Sequence, residues 1–467
     1  MIDDFIRDVA LVTKVVTDVE VLAARRFDYW AASHLRNWQG RRMPSAGCVV
    51  QPTDSSQVQA IVRLAASHRV PIVPFGLGSG VVGGIMPTND CVLLDLSAMN
   101  RTLSIHEHDM LATFEAGKNG MAAENEVAEL GFTIGHWPQS IAVSSVGGWV
   151  STRASGQFST AYGNIEDIVY SIEAVLPTGE LVTLGKAPRA AAGPDLRHIL
   201  MGAEGTMGVI TAVTLSLRAL PECQRFTAFH VDTVDQGFEA QRRILRADWR
   251  PPVMRLYDGT ETKRNFGDFQ RERSPMLIMV HEGPTSRVDA EMADVTKIAL
   301  AAGLEVADPG ATNNWMQRRN HVPSWADLFD QGLVVDTIEI SAPWSKIGAV
   351  YSESIAALRS VPGVVSASAH SSHVYRSGIN LYFSFAAAVP STDMEAAYFE
   401  CWRKVMESTA LNGGGIAHHH GAGRLRKPYL ALDLGAAGVE LLRTIAGAVD
   451  PLSIMNPGNL IPDRTNS

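Results

Sequence analysis

Paired cysteines are missing from this sequence. Its four cysteines, Cys48, Cys91, Cys223 and Cys401, stand far apart and never at the spacing of a zinc knuckle or a disulfide framework. Because structural disulfides belong to oxidising compartments, this cysteine usage favours a reducing one. The sequence therefore predicts a cytoplasmic protein without a cysteine-based metal site.

Long apolar runs and basic stretches are also missing. No run of about 18 apolar residues occurs, which is the length that a membrane-spanning helix needs. The chain begins MIDDFIRD, which is acidic where a signal peptide starts with basic residues. The 40 Lys and Arg residues are outnumbered by 49 Asp and Glu and form no stretch that could follow a phosphate backbone. These absences predict a soluble protein with no transmembrane segment and no nucleic-acid partner.

Length and patterning predict several domains. A chain of 467 residues, 46% of them hydrophobic, is too long for one ordinary core. Near its start, Ile2, Phe5, Val9 and Val16 lie close to helical spacing and predict an amphipathic helix that packs against the protein body.

The rest of the chain alternates between helix and strand patterns. Asp54 can cap a helix in which Val58, Ile61, Val62 and Ala65 recur at helical spacing. Strands are predicted over residues 70–75, 92–96, 111–116, 169–175, 180–184 and 209–217. Further on, helices over 236–247, 287–302 and 392–410 alternate with strands over 277–281, 334–340 and 380–385.

A glycine-rich loop, GLGSGVVGG at 76–84, follows the first of these strands. Glycine lets backbone N–H groups approach a pyrophosphate without interference from a Cβ atom. The spacing of Gly78, Gly80 and Gly83 also matches the dinucleotide fingerprint, but that fingerprint opens a long helix. Pro87 makes such a helix implausible here. By itself, the loop is equally compatible with another kind of phosphate cradle and with a structural turn.

Small and hydroxylated residues dominate the segment HWPQSIAVSSVGGWVSTRASG at 136–156. The segments YGNIED at 162–167 and MGAEGTMGVI at 201–210 have a similar composition. Such residues bury little apolar area, so a hydrophobic core would not use them at this density. The composition favours a wall against which a flat, polar ligand lies.

Together these segments resemble a known family. The glycine loop, SVGGWVSTRASG, YGNIED, GPD at 193–195, EGTMGVIT and NPGNL are similar to the FAD-binding domain of vanillyl-alcohol oxidase, p-cresol methylhydroxylase and glycolate oxidase subunits. VSTRASG with YGNIED is most similar to alkyldihydroxyacetonephosphate synthase and its bacterial homologues. The resemblance implies a two-domain α+β fold of the FAD-binding type. Its expected parts are an N-terminal helical segment (1–43), the FAD-binding domain (44–222), an α+β cap (223–410) and a C-terminal segment that returns to the flavin (411–467).

The resemblance also implies which residues contact FAD. The glycine loop would hold the diphosphate, the segment after residue 137 would line the flavin and ribityl chain, and the residues after 203 would lie beside the adenosine. The implied residues are Pro74, Phe75, Gly76, Leu77, Gly78, Ser79, Gly80, Val81, Pro138, Ser140, Gly147, Gly148, Ser151, Thr152, Ala154, Ser155, Glu204, Gly205, Val209, Ile210 and Asn456. Relatives whose flavin is attached through this loop carry His where Ser79 stands, so non-covalent FAD is expected.

The segment HHHGAGRLRK at 418–427 places three imidazoles beside three cations. In the synthase branch the same pattern faces the flavin, and its basic end suits a phosphate or carboxylate. The resemblance therefore implies catalytic roles for His418, His419 and His420, and substrate binding by Arg424 and Lys427. A metal site and a solvated loop are the alternatives. Adjacent histidines point in different directions and do not easily share one metal ion, so no metal is predicted.

Three further residues follow from the resemblance. Tyr375 stands at the position of the family's active-site tyrosine, whose phenol can exchange a proton with substrate. Arg255 lies between apolar residues of a strand, which is costly unless the charge is paired, and it matches an arginine near the flavin. A structural ion pair is its alternative role. Gln139, predicted to contact substrate, replaces an Asp of the synthases and cannot ionise. His281 and His373 are candidate helpers.

The expected function is that of an FAD-dependent oxidoreductase. It would take a hydride from the hydroxyl-bearing carbon of a 2-hydroxy acid or alcohol and pass it to flavin N5. Gln139 favours this reaction over the alternative, a synthase-like transferase that uses FAD without net redox change. The expected partner is a small, anionic substrate, and a homodimer is left open.

Overall fold

The computed structural model describes residues 2–321 and 324–463. The first residue of the predicted N-terminal segment and the last four of the C-terminal segment lie outside this range. The first unit contains the strands β1 (Lys14–Val16), β2 (Cys48–Gln51), β3 (Ile72–Phe75), β4 (Val92–Asp95), β5 (Thr102–His106), β6 (Leu111–Glu115), β7 (Phe132–Thr133), β8 (Val169–Val175), β9 (Leu181–Leu184), β10 (Val209–Ser216) and β11 (Arg218–Ala219). Its helices are α1 (Ile2–Val9), α2 (Val19–Ala24), α3 (Ala31–Trp38), α4 (Ser55–His68), α5 (Gly120–Ala128), α6 (Val146–Thr152), α7 (Ser159–Tyr162), α8 (Ile165–Ile168) and α9 (Arg197–Leu200).

Two main sheets build the first unit. One has the strand order β1-β2-β4-β3, and β4 pairs in parallel with both β2 and β3. Parallel strands of one sheet need a crossover connection, which α4 provides between β2 and β3, the strands on either side of β4. The glycine loop then connects β3 to β4 and so lies at the carboxyl end of β3. The other sheet is antiparallel, with the order β5-β6-β10-β8-β9.

The predicted helix over the first residues is correct only as far as Val9. There α1 ends, and β1 pairs antiparallel with β2, with Val16 opposite Val49. The cause is a free edge of β2, which offers a hydrogen-bonding partner to a segment whose β-branched valines favour strand over helix. The helix α4 is confirmed, with Asp54 as its N-cap. The short helix α6, capped by Ser145, was not predicted.

The second unit is built on one sheet of seven strands, in the order β15-β12-β14-β13-β17-β18-β16. Its strands are β12 (Cys223–His230), β13 (Val253–Tyr257), β14 (Met276–Gly283), β15 (Glu305–Ala307), β16 (Leu333–Pro343), β17 (Val364–His370) and β18 (Gly378–Ala388). The helices that follow the first unit are α10 (Val234–Arg246), α11 (Gly259–Phe266), α12 (Thr285–Ala301), α13 (Gly310–Arg318), α14 (Trp325–Asp330), α15 (Ile347–Arg359), α16 (Met394–Leu411), α17 (Gly423–Arg426) and α18 (Leu430–Val449). The strands and helices predicted here are confirmed to within a few residues at their ends.

The chain returns to the first unit after α16. Gly415 forms a β-bridge with Ser341 at the end of β16, and Met455 forms one with Ile72 at the start of β3. The residues between them, including the three histidines, therefore lie where the two units meet. Among the helices of the described residues, none is both long and apolar enough to cross a membrane.

We predict that Phe5 anchors α1 to the protein. Its side chain is fully buried and meets the His68 ring of α4 edge-on, with ring centroids 6.2 Å apart. The Phe5→Ala variant should lose about 3–5 kcal/mol of unfolding free energy in urea titrations, as large-to-small core substitutions do. Leu11, which is 89% exposed, is the matched control, and Leu11→Ala should stay within about 0.5 kcal/mol of wild type. Equal midpoints for the two variants would contradict this packing.

Candidate active site

The glycine loop holds a row of free backbone donors. Within the described residues, the N–H groups of Leu77, Gly78, Ser79, Gly80 and Val81 have no hydrogen-bond acceptor. Since nearly all backbone N–H groups of folded proteins are paired, five consecutive free donors fit an anionic ligand. The loop that was predicted to hold the FAD diphosphate thus has the donors that such a group requires.

The N-terminal segment fixes the ends of this loop. The carboxylate of Asp28 accepts hydrogen bonds from the N–H groups of Gly83 (2.8 Å) and Gly84 (3.1 Å). The N–H of Tyr29 donates to the carbonyl oxygen of Gly80 at 2.6 Å. At the other end, a Cβ on Gly76 would stand 2.5 Å from Oγ of Ser145, so only glycine lets the loop approach α6 this closely.

The other predicted cofactor residues lie on several elements of the first unit, and their contact with FAD stays a prediction. They lie in β3 (Pro74, Phe75), in the turn before α6 (Pro138, Ser140), in α6 and directly after it (Gly147, Gly148, Ser151, Thr152, Ala154, Ser155), in the turn before β10 (Glu204, Gly205) and at the start of β10 (Val209, Ile210). Asn456 joins two of these regions, because its Nδ2 donates to the carbonyl oxygens of Gly84 (2.8 Å) and Glu204 (2.7 Å).

Two buried carboxylates position the histidine segment. Glu204, from the first unit, accepts hydrogen bonds from the N–H groups of Ala422 and Gly423 at 2.7 and 3.0 Å. Glu339, from β16, accepts them from His418 (2.8 Å), His419 (3.3 Å) and His420 (2.8 Å). The segment is thereby tied to both units by its backbone, which leaves the imidazoles free to make other contacts.

Glu339 carries its charge in a fully buried site. Burial alone would raise the pKa of Glu339. Arg426 is equally buried and lies 3.1 Å away. Together with the histidine segment, it holds the pKa of Glu339 below its ordinary value. Sequence reasoning did not identify either residue. A lone Glu within the apolar run TIEISA is the same anomaly that drew attention to Arg255, and it could have been found in the same way.

The imidazoles and two tyrosines form a continuous chain of hydrogen bonds. The hydroxyl of Tyr375 lies 2.6 Å from Nε2 of His418, whose Nδ1 lies 2.7 Å from Nδ1 of His419. Nε2 of His419 in turn lies 2.5 Å from the hydroxyl of Tyr382. At the first end, Oδ1 of Asn164, from the YGNIED motif, accepts a hydrogen bond from Tyr375 at 3.1 Å.

These groups are neutral at pH 7. Burial lowers the pKa of His418 and of His420 to about 4, although Glu339 opposes the shift. Burial, together with the neighbouring imidazoles, also holds the pKa of His373 and of His419 well below the ordinary value. A neutral imidazole has one donor and one acceptor nitrogen, so each can receive a proton and pass one on.

A metal ion would compete with this chain. His373, His418 and His419 offer ligand nitrogens that all lie within 4.8 Å of one another. However, both nitrogens of His418 and His419 are hydrogen-bonded, and Nδ1 of His373 lies 2.6 Å from Oγ of Ser159. Metal binding would break several of these bonds, so the geometry favours the hydrogen-bonded arrangement.

Arg255 is a buried cation without a counter-charge. It lies in β13, is 9% exposed, and donates from Nε to the hydroxyl of Tyr257 at 2.8 Å. Its guanidinium also stacks on Trp315 at 5.3 Å. Among the described residues, no carboxylate lies within ion-pair distance of Arg255. The alternative role, a structural ion pair with one of these residues, is therefore wrong. A buried unpaired charge is costly, which points to an anionic ligand as its partner.

The other predicted substrate residues have partners of their own. Arg424 donates from Nη2 to the carbonyl oxygens of Met86 (3.0 Å) and Pro457 (3.2 Å). Lys427 pairs with Asp463 at 2.8 Å, and Gln139 donates to the carbonyl oxygen of His321 at 2.6 Å. His281 is paired with Glu291 in the second unit, away from the cluster. Substrate binding by these residues stays a prediction.

Comparison with known proteins decides the family. Residues 46–185 match the FAD binding domain model, and residues 220–460 match the model of the C-terminal domain of FAD linked oxidases. The chain belongs to the FAD-linked oxidases. An uncharacterised FAD-linked oxidoreductase of Escherichia coli K12, YgcU, is 31% identical over 98% of both chains.

Two further comparisons support the fold and the cofactor of this FAD-linked oxidase. The glycolate oxidase subunit GlcD of Bacillus subtilis is 26% identical over 90% of each chain. A solved structure of alkyldihydroxyacetonephosphate synthase superposes with a TM-score of 0.81 at 26% identity, over 97% of this chain and 84% of the other. The expected family, the two-domain α+β fold and the FAD cofactor are confirmed.

We predict that Asp28 makes the stability of this oxidase depend on pH. Burial raises the pKa of Asp28 to about 7, against an ordinary value near 4 in the unfolded chain. Between these values the folded state binds the proton more tightly, so ionisation of Asp28 lowers stability as pH rises. The stability of wild type relative to Asp28→Asn should therefore fall by about 1.4 kcal/mol per pH unit between about pH 4 and 7. Urea titrations of both proteins measure this slope, and a pH-independent difference would contradict it.

Proposed function

We propose that this FAD-linked oxidase oxidises a small anionic substrate with a hydroxyl group on the carbon that loses a hydride, as in a 2-hydroxy acid. The observation that carries the proposal is the combination of an unpaired buried guanidinium, Arg255, with a neutral chain of phenols and imidazoles. The first binds an anion and the second accepts a proton. FAD, held by the glycine loop, supplies the hydride acceptor at flavin N5 when it is bound.

Different residues of the protein bind the substrate and accept its proton. Arg255 binds the carboxylate or phosphate of the substrate through its two terminal nitrogens, which have no hydrogen-bond partner among the described residues. Tyr375 accepts the proton of the substrate hydroxyl, and its own proton moves to Nε2 of His418 over 2.6 Å. Burial raises the pKa of Tyr375, so the phenol stays protonated until it can pass this proton on.

A transferase of the synthase type is the second candidate. The fold similarity to alkyldihydroxyacetonephosphate synthase and the shared HHHGxGxxRK pattern favour it. Gln139, which cannot ionise, stands where the synthases carry Asp and favours the oxidase, as does the similarity to a glycolate oxidase subunit. Cytoplasmic location, non-covalent attachment of FAD and a homodimer stay predictions for either reaction.

Anaerobic mixing of the purified holoenzyme with 2-hydroxy acids and alcohols distinguishes the two reactions. If one of these hydroxy acids or alcohols causes the visible absorbance of the flavin to disappear, the oxidase reaction is supported. The Tyr375→Phe variant should retain its FAD but reduce it roughly 10²- to 10⁴-fold more slowly at saturating substrate, since it lacks the proton acceptor. Unchanged flavin with every substrate, together with exchange of an acyloxy group for an alkoxy group, would establish the transferase instead.

We predict that Arg255→Met weakens substrate binding. A charge-assisted hydrogen bond contributes about 1.5–3 kcal/mol, so KM should rise roughly 10- to 150-fold while kcat changes much less. Arg225, an exposed residue of β12, is the matched control, and Arg225→Met should keep the wild-type KM. The FAD content of both variants reports whether the fold survives. A wild-type KM in Arg255→Met would remove Arg255 from the substrate site.

A further inference from the structure

The hydrogen-bonded chain continues beyond the groups that the proposed reaction needs. We propose that Tyr382 is the far end of a proton relay that starts at Tyr375 and runs through His418 and His419. This inference rests on the proposed function, because the proton that enters the relay is that of the substrate hydroxyl. Tyr382 touches neither substrate nor cofactor in this scheme and acts as a positioning residue through His419.

The backbone explains why these four side chains stay in line. Glu339 and Tyr382 are directly opposite each other in the pairing of β16 with β18. The same Glu339 accepts the N–H groups of the three histidines, so the segment that carries the imidazoles is fixed relative to the strand that carries Tyr382. The ring of Tyr382 is held by stacking on His370, with centroids 4.8 Å apart and planes 9° from parallel. His370 is itself fixed by Glu261 at 2.7 Å.

The hydrogen bonds from Tyr375 to Tyr382 can point in either of two directions. The contact between Nδ1 of His418 and Nδ1 of His419 has room for one proton only, so the two neutral imidazoles must be opposite tautomers. In one orientation each group donates toward Tyr382, from Tyr375 to His418 to His419. In the other orientation every bond is reversed, and Tyr375 donates to Asn164 instead.

Accepting the substrate proton converts the first orientation into the second. The hydroxyl proton moves to the oxygen of Tyr375, whose own proton moves to Nε2 of His418. The Nδ1 proton of His418 moves to Nδ1 of His419, and the Nε2 proton of His419 moves to the oxygen of Tyr382. Tyr382, which is partly exposed, releases its former hydroxyl proton to water. FAD, when bound, would supply the acceptor for the hydride of the substrate carbon, so atoms and electrons balance.

The relay is compatible with the burial of His419, which is 8% exposed. Burial lowers the pKa of His418 to about 4 and that of His419 well below its ordinary value, so a positive charge on either imidazole would be costly at pH 7. In the relay each imidazole gains one proton while losing another, so no positive charge remains on it. The site can therefore stay apolar enough to exclude water and still carry a proton away.

The Tyr382→Phe variant tests the relay in the holoenzyme. Phenylalanine keeps the ring that stacks on His370 and removes only the hydroxyl. We expect unchanged FAD content and KM, a reduction rate at least about tenfold slower, and an altered solvent deuterium isotope effect on that rate. Tyr351→Phe is the control, because the Tyr351 hydroxyl lies 3.4 Å from Asp258 and is not part of the hydrogen-bonded chain from Tyr375 to Tyr382. A wild-type rate and isotope effect in Tyr382→Phe would overturn the relay.

A second measurement needs no turnover. Nitrogen-15 NMR of the histidine-labelled protein should show His418 and His419 as neutral and opposite tautomers, identified through His418→Gln and His419→Gln. Tyr382→Phe should shift the ring nitrogens of His418 as well as those of His419, although the Tyr382 hydroxyl is hydrogen-bonded to His419 and not to His418. Unshifted His418 nitrogens would overturn the relay. If no hydroxyl substrate reduces the wild-type flavin, the proposed function fails, and these shifts still decide whether the chain is coupled.

Discussion

The carboxylate of Glu339 is the group on which the rest of the site depends. It is fully buried, and a buried charge is tolerated only when it is paired and fully hydrogen-bonded. Arg426 and three consecutive backbone N–H groups meet this requirement together. Because those N–H groups belong to the histidines, satisfying one buried charge also fixes the backbone of three functional side chains. Removing the charge would release all three, whereas removing one imidazole would leave the other two in place.

A second carboxylate, Glu204, gives the histidine segment its place between the two units. Glu204 comes from the first unit and Glu339 from the second, and they accept the N–H groups of neighbouring stretches of one segment. The position of the histidine segment therefore depends on both units. This arrangement places the histidine segment beside the glycine loop, since Asn456 links that loop to the backbone of Glu204.

Local signals were sufficient for much of the fold and for part of the site. Helix α4 was predictable because its cap and its apolar spacing lie within one short stretch. The absence of a long helix after the glycine loop was predictable because Pro87 follows the loop closely. The strand β1 was not, since it forms only against an edge supplied by β2. The burial of one cation from the RLRK stretch at 424–427 also depends on a distant residue, so the sequence could not show which of the three is buried. Arg426 is buried because it meets Glu339, a residue 87 positions away in the chain.

The charges around the histidine segment bear on the proposed substrate. Glu339 is neutralised by Arg426, and the imidazoles of His418 and His420 are uncharged at pH 7. Arg255, by contrast, is buried and has no ion-pair partner among the described residues. A neutral alcohol would leave that charge unpaired, whereas a carboxylate or phosphate would neutralise it on binding. The unpaired charge of Arg255 therefore favours the anionic substrate that we propose.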